Sequence, residues 1–183
     1  MSTDQQAPAR FTLPSRLLHW SMAVMVIAQL LLGVTMVASL AYYPLLLAIH
    51  RPLGIVILVF AIVRLVNRMR HHPPPFLATM GRIERRIATW SERLLYALLL
   101  VQPVIGWAMV SSAGTPVIVG PWRLPAIAPH NLNLFGALHI AHVVVAALLF
   151  ATFTAHLCAV LFHTLVLRDG LLDRMALWRS RGR

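Results

Sequence analysis

The sequence predicts an all-α fold: an integral membrane four-helix bundle. Three observations carry that prediction. Of 183 residues, 59% are hydrophobic and only 11% are charged, whereas charged residues reach roughly 25% in soluble domains. The mean hydropathy is +0.76, and a soluble chain of this size has too little volume to bury so much apolar surface. The apolar residues also gather into four runs, each close to the ~20 residues that a helix needs to cross the hydrocarbon core. The whole chain, 1–183, reads as a single transmembrane domain.

The elements follow in order. Residues 1–15 are polar and contain proline, and read as an exposed tail. The first span is about 17–39, LLHWSMAVMVIAQLLLGVTMVAS. It is longer than the ~7–15 apolar residues of a signal peptide, so an uncleaved first span is expected. The second span is about 47–67, reached through a short turn at Tyr42-Tyr43-Pro44. The third is about 91–112 and the fourth about 134–165. The fourth exceeds the membrane thickness and should tilt or protrude.

The connections differ in character. The 68–90 loop opens RMRHHPPPF, and three consecutive prolines exclude helix there. Ile83, Ile87 and Trp90 then recur near helical spacing among arginines, which predicts a short helix lying in the membrane interface. The 113–133 loop holds Gly114, Pro116, Gly120, Pro121, Pro125 and Pro129, and should be ordered by turns. No internal repeat is evident.

Charge fixes an orientation. The chain carries sixteen basic residues, five acidic ones and a net charge of +11. Every basic residue is an arginine. With four spans, fourteen of the sixteen fall on one side, and only Arg51 and Arg123 fall on the other. The positive-inside rule then places both termini in the cytoplasm. The arginines suit anionic lipid head groups; they form no recognition helix, which argues against nucleic acid. The lone Cys158 has no partner for a disulfide or a thiolate metal pair, and reads as a small core or lipid-facing residue.

The histidines carry the chemistry. Ionisable groups inside a membrane are rare and mark function. His142 and His156 lie fourteen residues apart on the fourth span, ~21 Å of helix rise and about 40° short of a whole number of turns. They share one face at two depths. His50 matches His142 in depth near the outer end, and His19 matches His156 near the inner end. Each layer offers two imidazoles with no matching carboxylate or thiol, whereas zinc wants three or four protein ligands. Two imidazoles from facing helices suit a b-type haem, whose porphyrin supplies the other four nitrogens. The reading is therefore two stacked, non-covalent haems, since no CxxCH motif is present. Taken singly, His19 or His50 at a helix end reads equally well as a head-group contact; the depth-matched set is what argues for iron.

Other residues take lesser roles. His163, seven residues beyond His156, either supports the inner haem, meets a quinone head group or is simply interfacial. His139 is an alternative outer ligand or a loop-proximal polar group. His71, His72 and His130 read as surface residues. Arg51 is at the depth of an outer haem propionate and Arg16 at that of an inner one, with solvated or lipid-facing charge as the plain alternative. Gly33, Gly54 and Gly106 allow close helix approach or room for a flat macrocycle. Pro103 should kink the third span. Met36 and Met109 are thioethers that read as packing.

The sequence resembles bacterial cytochrome b561, the short four-helix inner-membrane di-haem cytochrome, over about residues 12–176. The resemblance rests on LLHW in span one, AIHRPLGI opening span two, FAIVRL near its end, HHPPP in the loop, LLVQPVIGWAM and AGTPVIVG around the end of span three, and LFHTLVLRDGLLDRM closing span four. It implies His19, His50, His142 and His156 as haem ligands, and it adds weight to His163. The family often has two adjacent histidines where this chain has Phe162-His163, and His139 has no counterpart. The resemblance also implies electron transfer in the bacterial inner membrane between an outer donor, superoxide in at least some members, and ubiquinone near the inner side. Two rivals are a cytochrome b anchor subunit bound to an iron–sulfur partner of a hydrogenase or formate dehydrogenase, and a haem-free transporter or channel.

Overall fold

The computed structural model describes residues 10–178. Four helices span it: α1 (Leu13–Ala38), α2 (Tyr43–Arg70), α3 (Arg82–Ser112) and α4 (Leu132–Leu161). All four are long and apolar enough to cross a membrane. The all-α bundle expected from the sequence is the fold observed.

Helix starts explain the boundaries. In α1, Thr12 Oγ1 accepts the Ser15 N–H, and Pro14 sits in the first turn, where its missing N–H costs nothing. Asn131 does the same for α4, accepting the Leu134 N–H at 3.0 Å. In α3 the Glu84 carboxylate accepts the Gly81 N–H at 2.7 Å, one half of a capping box. That cap changes one expectation. The predicted short interfacial helix around Ile83–Trp90 is not separate, because nothing breaks the helix between Trp90 and Ser91. It is the first part of α3, and Ile83, Ile87 and Trp90 are exposed along it. The Pro73–Pro75 stretch is non-helical, and α2 ends just before it. Pro52 and Pro103 both lie inside helices that continue through them.

Packing runs in chain order, α1 on α2, α2 on α3 and α3 on α4. The buried core cluster is Met22, Val26, Ile57 and Ala61, between α1 and α2. The outward faces carry large exposed apolar side chains such as Val24, Leu31, Val59, Val143 and Leu148, as a lipid-facing surface should. Cys158 is exposed among them.

The two ends are built differently. At one end, residues 113–131 form a cap with a small antiparallel hairpin, β1 (Ile118–Val119) and β2 (Trp122–Arg123). Gly114 and Gly120 adopt positive φ in its turns. The cap is pinned to α3: Trp107 Nε1 donates to Pro125 O, Ser111 Oγ accepts the Ile127 N–H, and His130 Nδ1 lies 3.1 Å from Ser112 O. At the other end, the chain beyond α4 folds back under the bundle. A π-helical segment, Phe162–Leu167, closes α4 and ends at Arg168 with φ 51. The expected exposed tail at 1–15 is corrected over its described part. Phe11 N donates to Arg174 O, and Arg10 donates to Asp173 O, Ala176 O and Trp178 O. Residues 1–9 and the terminal arginines Arg179, Arg181 and Arg183 lie outside the described residues.

Candidate functional site

His50 on α2 and His142 on α4 meet across the bundle near the hairpin end. Their ring centroids are 6.2 Å apart with the planes at 73°. The Nδ1 atoms of both rings are buried and have no hydrogen-bond partner. Gly106 on α3 makes room for His142: a Cβ at position 106 would lie 3.0 Å from His142 Cε1 and 3.3 Å from Nδ1. The backbone of each histidine is held from a neighbouring helix. Gln29 Nε2 donates to His50 O and Gln102 Nε2 to His142 O, both at 3.0 Å. Arg51, next to His50, has a buried Nε without a partner.

His19 on α1 and His156 on α4 lie toward the end that carries the folded-back segment after α4. Each is half-buried. Arg64 on α2 belongs to the same layer. It donates through its guanidinium to His19 Nδ1 at 2.8 Å and to Tyr96 Oη at 3.1 Å, and it acts on His156 as well. An arginine can only donate, so His19 Nδ1 is the acceptor and a neutral His19 carries its proton on Nε2. Ligation of a metal through Nε2 therefore requires that proton to leave Nε2.

Among the described residues no three His, Cys, Asp or Glu side chains converge as a metal site, so protein donors alone do not complete a coordination sphere. Two imidazoles per layer would suit a porphyrin iron, whose macrocycle supplies the other donors. A metal–imidazole bond is about 2.0–2.1 Å, so two imidazoles opposed on one ion have centres roughly 6 Å apart. The His50–His142 spacing matches that, and the buried orphan nitrogens fit ligands whose second nitrogen awaits an acceptor. In the His19–His156 layer the Arg64 guanidinium occupies His19 Nδ1, so that layer would take the group only after Arg64 moves off that nitrogen.

The remaining residues fall into place around these layers. His163 is buried in the π-helical segment, and its Nδ1 lies 2.6 Å from Asp169 Oδ2. The sequence reading missed Asp169, although it is one of only five acids in the chain. Arg16 donates to Ala176 O at 2.9 Å, while its Nε is buried without a partner, so it is partly committed to the folded-back C-terminal segment. Trp20 grips the same segment at Met175 O. His139 is exposed and stacks near Phe135 on its own helix, 6.1 Å between centroids, while His142 is the residue that faces His50. His71 and His72 are exposed in the arginine-rich loop. Gln29, Gln102, Arg64 and Tyr96 were also missed; their spacing in the sequence carries no periodic signal that singles them out.

Comparison with known proteins identifies the family. A family model described as "Prokaryotic cytochrome b561" matches residues 10–177. The "Probable superoxide oxidase CybB" of Yersinia pestis is 28% identical over 159 residues, covering 86% of this chain and 90% of that protein. The "Cytochrome b561 homolog 2" of Escherichia coli (strain K12) is 29% identical over 181 residues, covering 92% of each. With four spanning helices, and with the family model running from Arg10 to Leu177, the chain belongs to the prokaryotic cytochrome b561 family and is a multi-pass membrane electron-transfer protein of that type.

Proposed function

We propose that the chain is a di-haem b-type cytochrome of the bacterial inner membrane, carrying electrons between a donor at the outer face and the ubiquinone pool of the respiratory chain. His50 and His142 hold the outer haem iron, and His19 and His156 the inner one. The observation that carries this reading is the His50–His142 pair, 6.2 Å between ring centres with both Nδ1 atoms buried and unpartnered. When bound, the haems supply reversible one-electron chemistry. The protein's work is to place two centres at two depths and to keep water from them with apolar helix faces.

The arginine asymmetry supports both termini in the cytoplasm, with the hairpin cap outside. On that orientation the outer face presents Arg51 beside His50 and an exposed Arg123 on β2. A small anion is drawn to such a rim, and the name of the Yersinia pestis relative suggests superoxide. Two superoxide ions would give two molecules of dioxygen, and one ubiquinone would take the two electrons and two protons. Arg51 supports the outer propionates and Arg16 the inner ones. His163, held by Asp169 near the cytoplasmic surface, is the group we assign to the quinone head group. The exposed arginines at the start of α3 face anionic lipid.

The test is haem quantitation with a reduced-minus-oxidised spectrum on purified protein. Two b haems per chain are expected, and a well-folded preparation free of haem would sink the reading. Superoxide consumption that depends on added ubiquinone tests the donor; consumption indifferent to quinone would remove superoxide from the proposal.

A further inference from the structure

Gln29 and Gln102 occupy equivalent places on two separate helix pairs. Gln29 reaches from α1 to the His50 carbonyl on α2, and Gln102 from α3 to the His142 carbonyl on α4, each through Nε2 at 3.0 Å. A carbonyl inside a helix already has its own helical donor. Neither glutamine is therefore needed to satisfy the backbone, yet both are spent on the same two residues.

The other half of each amide is the telling part. Gln29 Oε1 and Gln102 Oε1 are buried without a hydrogen-bond partner, and so are His50 Nδ1 and His142 Nδ1. Buried polar atoms are rarely left unpaired. Here two acceptors and two ring nitrogens are left over on two pairs of residues that already touch. A histidine bound to a metal through one nitrogen almost always donates the other N–H to an acceptor, which fixes the ring and raises its basicity.

We infer that Gln29 and Gln102 are positioning residues for the outer haem ligands: each fixes a histidine's backbone through its amide N–H, and its amide oxygen accepts the Nδ1–H that the ligated histidine carries. The inference rests on the proposal that His50 and His142 bind haem iron. A more basic imidazole favours the oxidised iron and lowers the potential of that centre. The other layer instead carries a fixed cation, the Arg64 guanidinium beside His19, which favours the reduced iron. The two layers are thereby set apart in potential, lower outside and higher inside, which runs electrons inward.

The experiment uses full-length protein with both haems. Gln29→Leu, Gln102→Leu and the corresponding Gln→Glu variants are titrated spectroelectrochemically, and their low-spin haem signals are recorded by electron paramagnetic resonance. A His142→Ala variant identifies which signal belongs to the outer haem. Leucine removes the acceptor and should raise the outer potential; glutamate strengthens the acceptor and should lower it. The inner haem should stay in place in all of them. Opposite signs from Leu and Glu are not what a merely structural role produces, and the Glu variants keep the test alive if a Leu variant does not fold. An unmoved outer potential, equal shifts of both haems, or same-sign shifts from Leu and Glu would overturn the inference while leaving a two-haem wild type intact. A wild type without haem would overturn both this inference and the reading beneath it.

Discussion

Asp169 Oδ2 lies 2.6 Å from His163 Nδ1, with the two side chains only 6% and 10% exposed. Asp169 is doubly used, because its Oδ1 also accepts the Leu171 N–H at 3.1 Å. It thus locks the imidazole and the reversal that follows the π-helical segment. Asp169→Ala leaves a buried ring nitrogen and a turn N–H without partners. A loss of about 1–3 kcal/mol is expected, read as a lower thermal midpoint in detergent. Combined with His163→Gln, the two losses should be strongly non-additive. Simple additivity in that cycle would show that the pair contributes nothing as a pair.

Gly106 gives a contrast within one helix class. Alanine there places a Cβ 3.0 Å from His142 Cε1, closer than packed carbons tolerate, so the ring must shift. Gly33 has nothing within 4 Å of its added Cβ. Gly33→Ala should then be neutral or gain about 0.5–1 kcal/mol from helix propensity. Gly106→Ala is expected to lower occupancy or perturb the spectrum of the outer haem alone. Equal haem content and identical spectra in the two variants would contradict the role given to Gly106.

The ligand set makes its own prediction. His50→Ala or His142→Ala should remove chiefly one haem, and His19→Ala or His156→Ala chiefly the other, by haem quantitation. His139→Ala should retain both, because His139 is exposed and turned to Phe135. Retention of two haems in His142→Ala would reject the assignment, and loss of one in His139→Ala would transfer the outer ligand to that residue.

These sites were legible in the sequence to unequal degrees, for physical reasons. Helix periodicity and membrane thickness are one-dimensional rules, so the four spans and the shared face of His142 and His156 could be read directly. The start of α3 was missed because the cap joining Gly81 to Glu84 outweighs the composition change near Trp90. Arg64 was counted with the arginines that set topology. Its bonds to His19 and Tyr96 depend on how α1, α2 and α3 come together. Gln29 and Gln102 look like single polar residues in apolar runs until the helices pack and each meets a histidine carbonyl. Asp169 reaches His163 only because the π-helical segment and the left-handed Arg168 turn the chain back. Pairings made by chain reversal or helix contact leave no periodic trace.

Arg64 yields the sharpest test of the inner layer. Its guanidinium stays charged in proteins, it donates to His19 Nδ1 at 2.8 Å, and its other contact is Tyr96 Oη at 3.1 Å. A fixed cation beside a redox centre favours the reduced, less positive state. Unit charges interact by about 4 kcal/mol at 4 Å for an effective dielectric near 20, and by less in proportion to distance. With 59 mV for a tenfold change in a one-electron couple, Arg64→Gln should lower the inner haem potential by at least tens of millivolts, on the order set by that charge. Arg64→Lys keeps the charge and should recover much of the potential. Tyr96→Phe removes only a neutral anchor and should shift it far less. The outer haem, whose ligands do not touch Arg64, should hold its value throughout. If Arg64→Gln left the inner potential unchanged, or moved the two haems together, the guanidinium would be a packing and topology residue and no more.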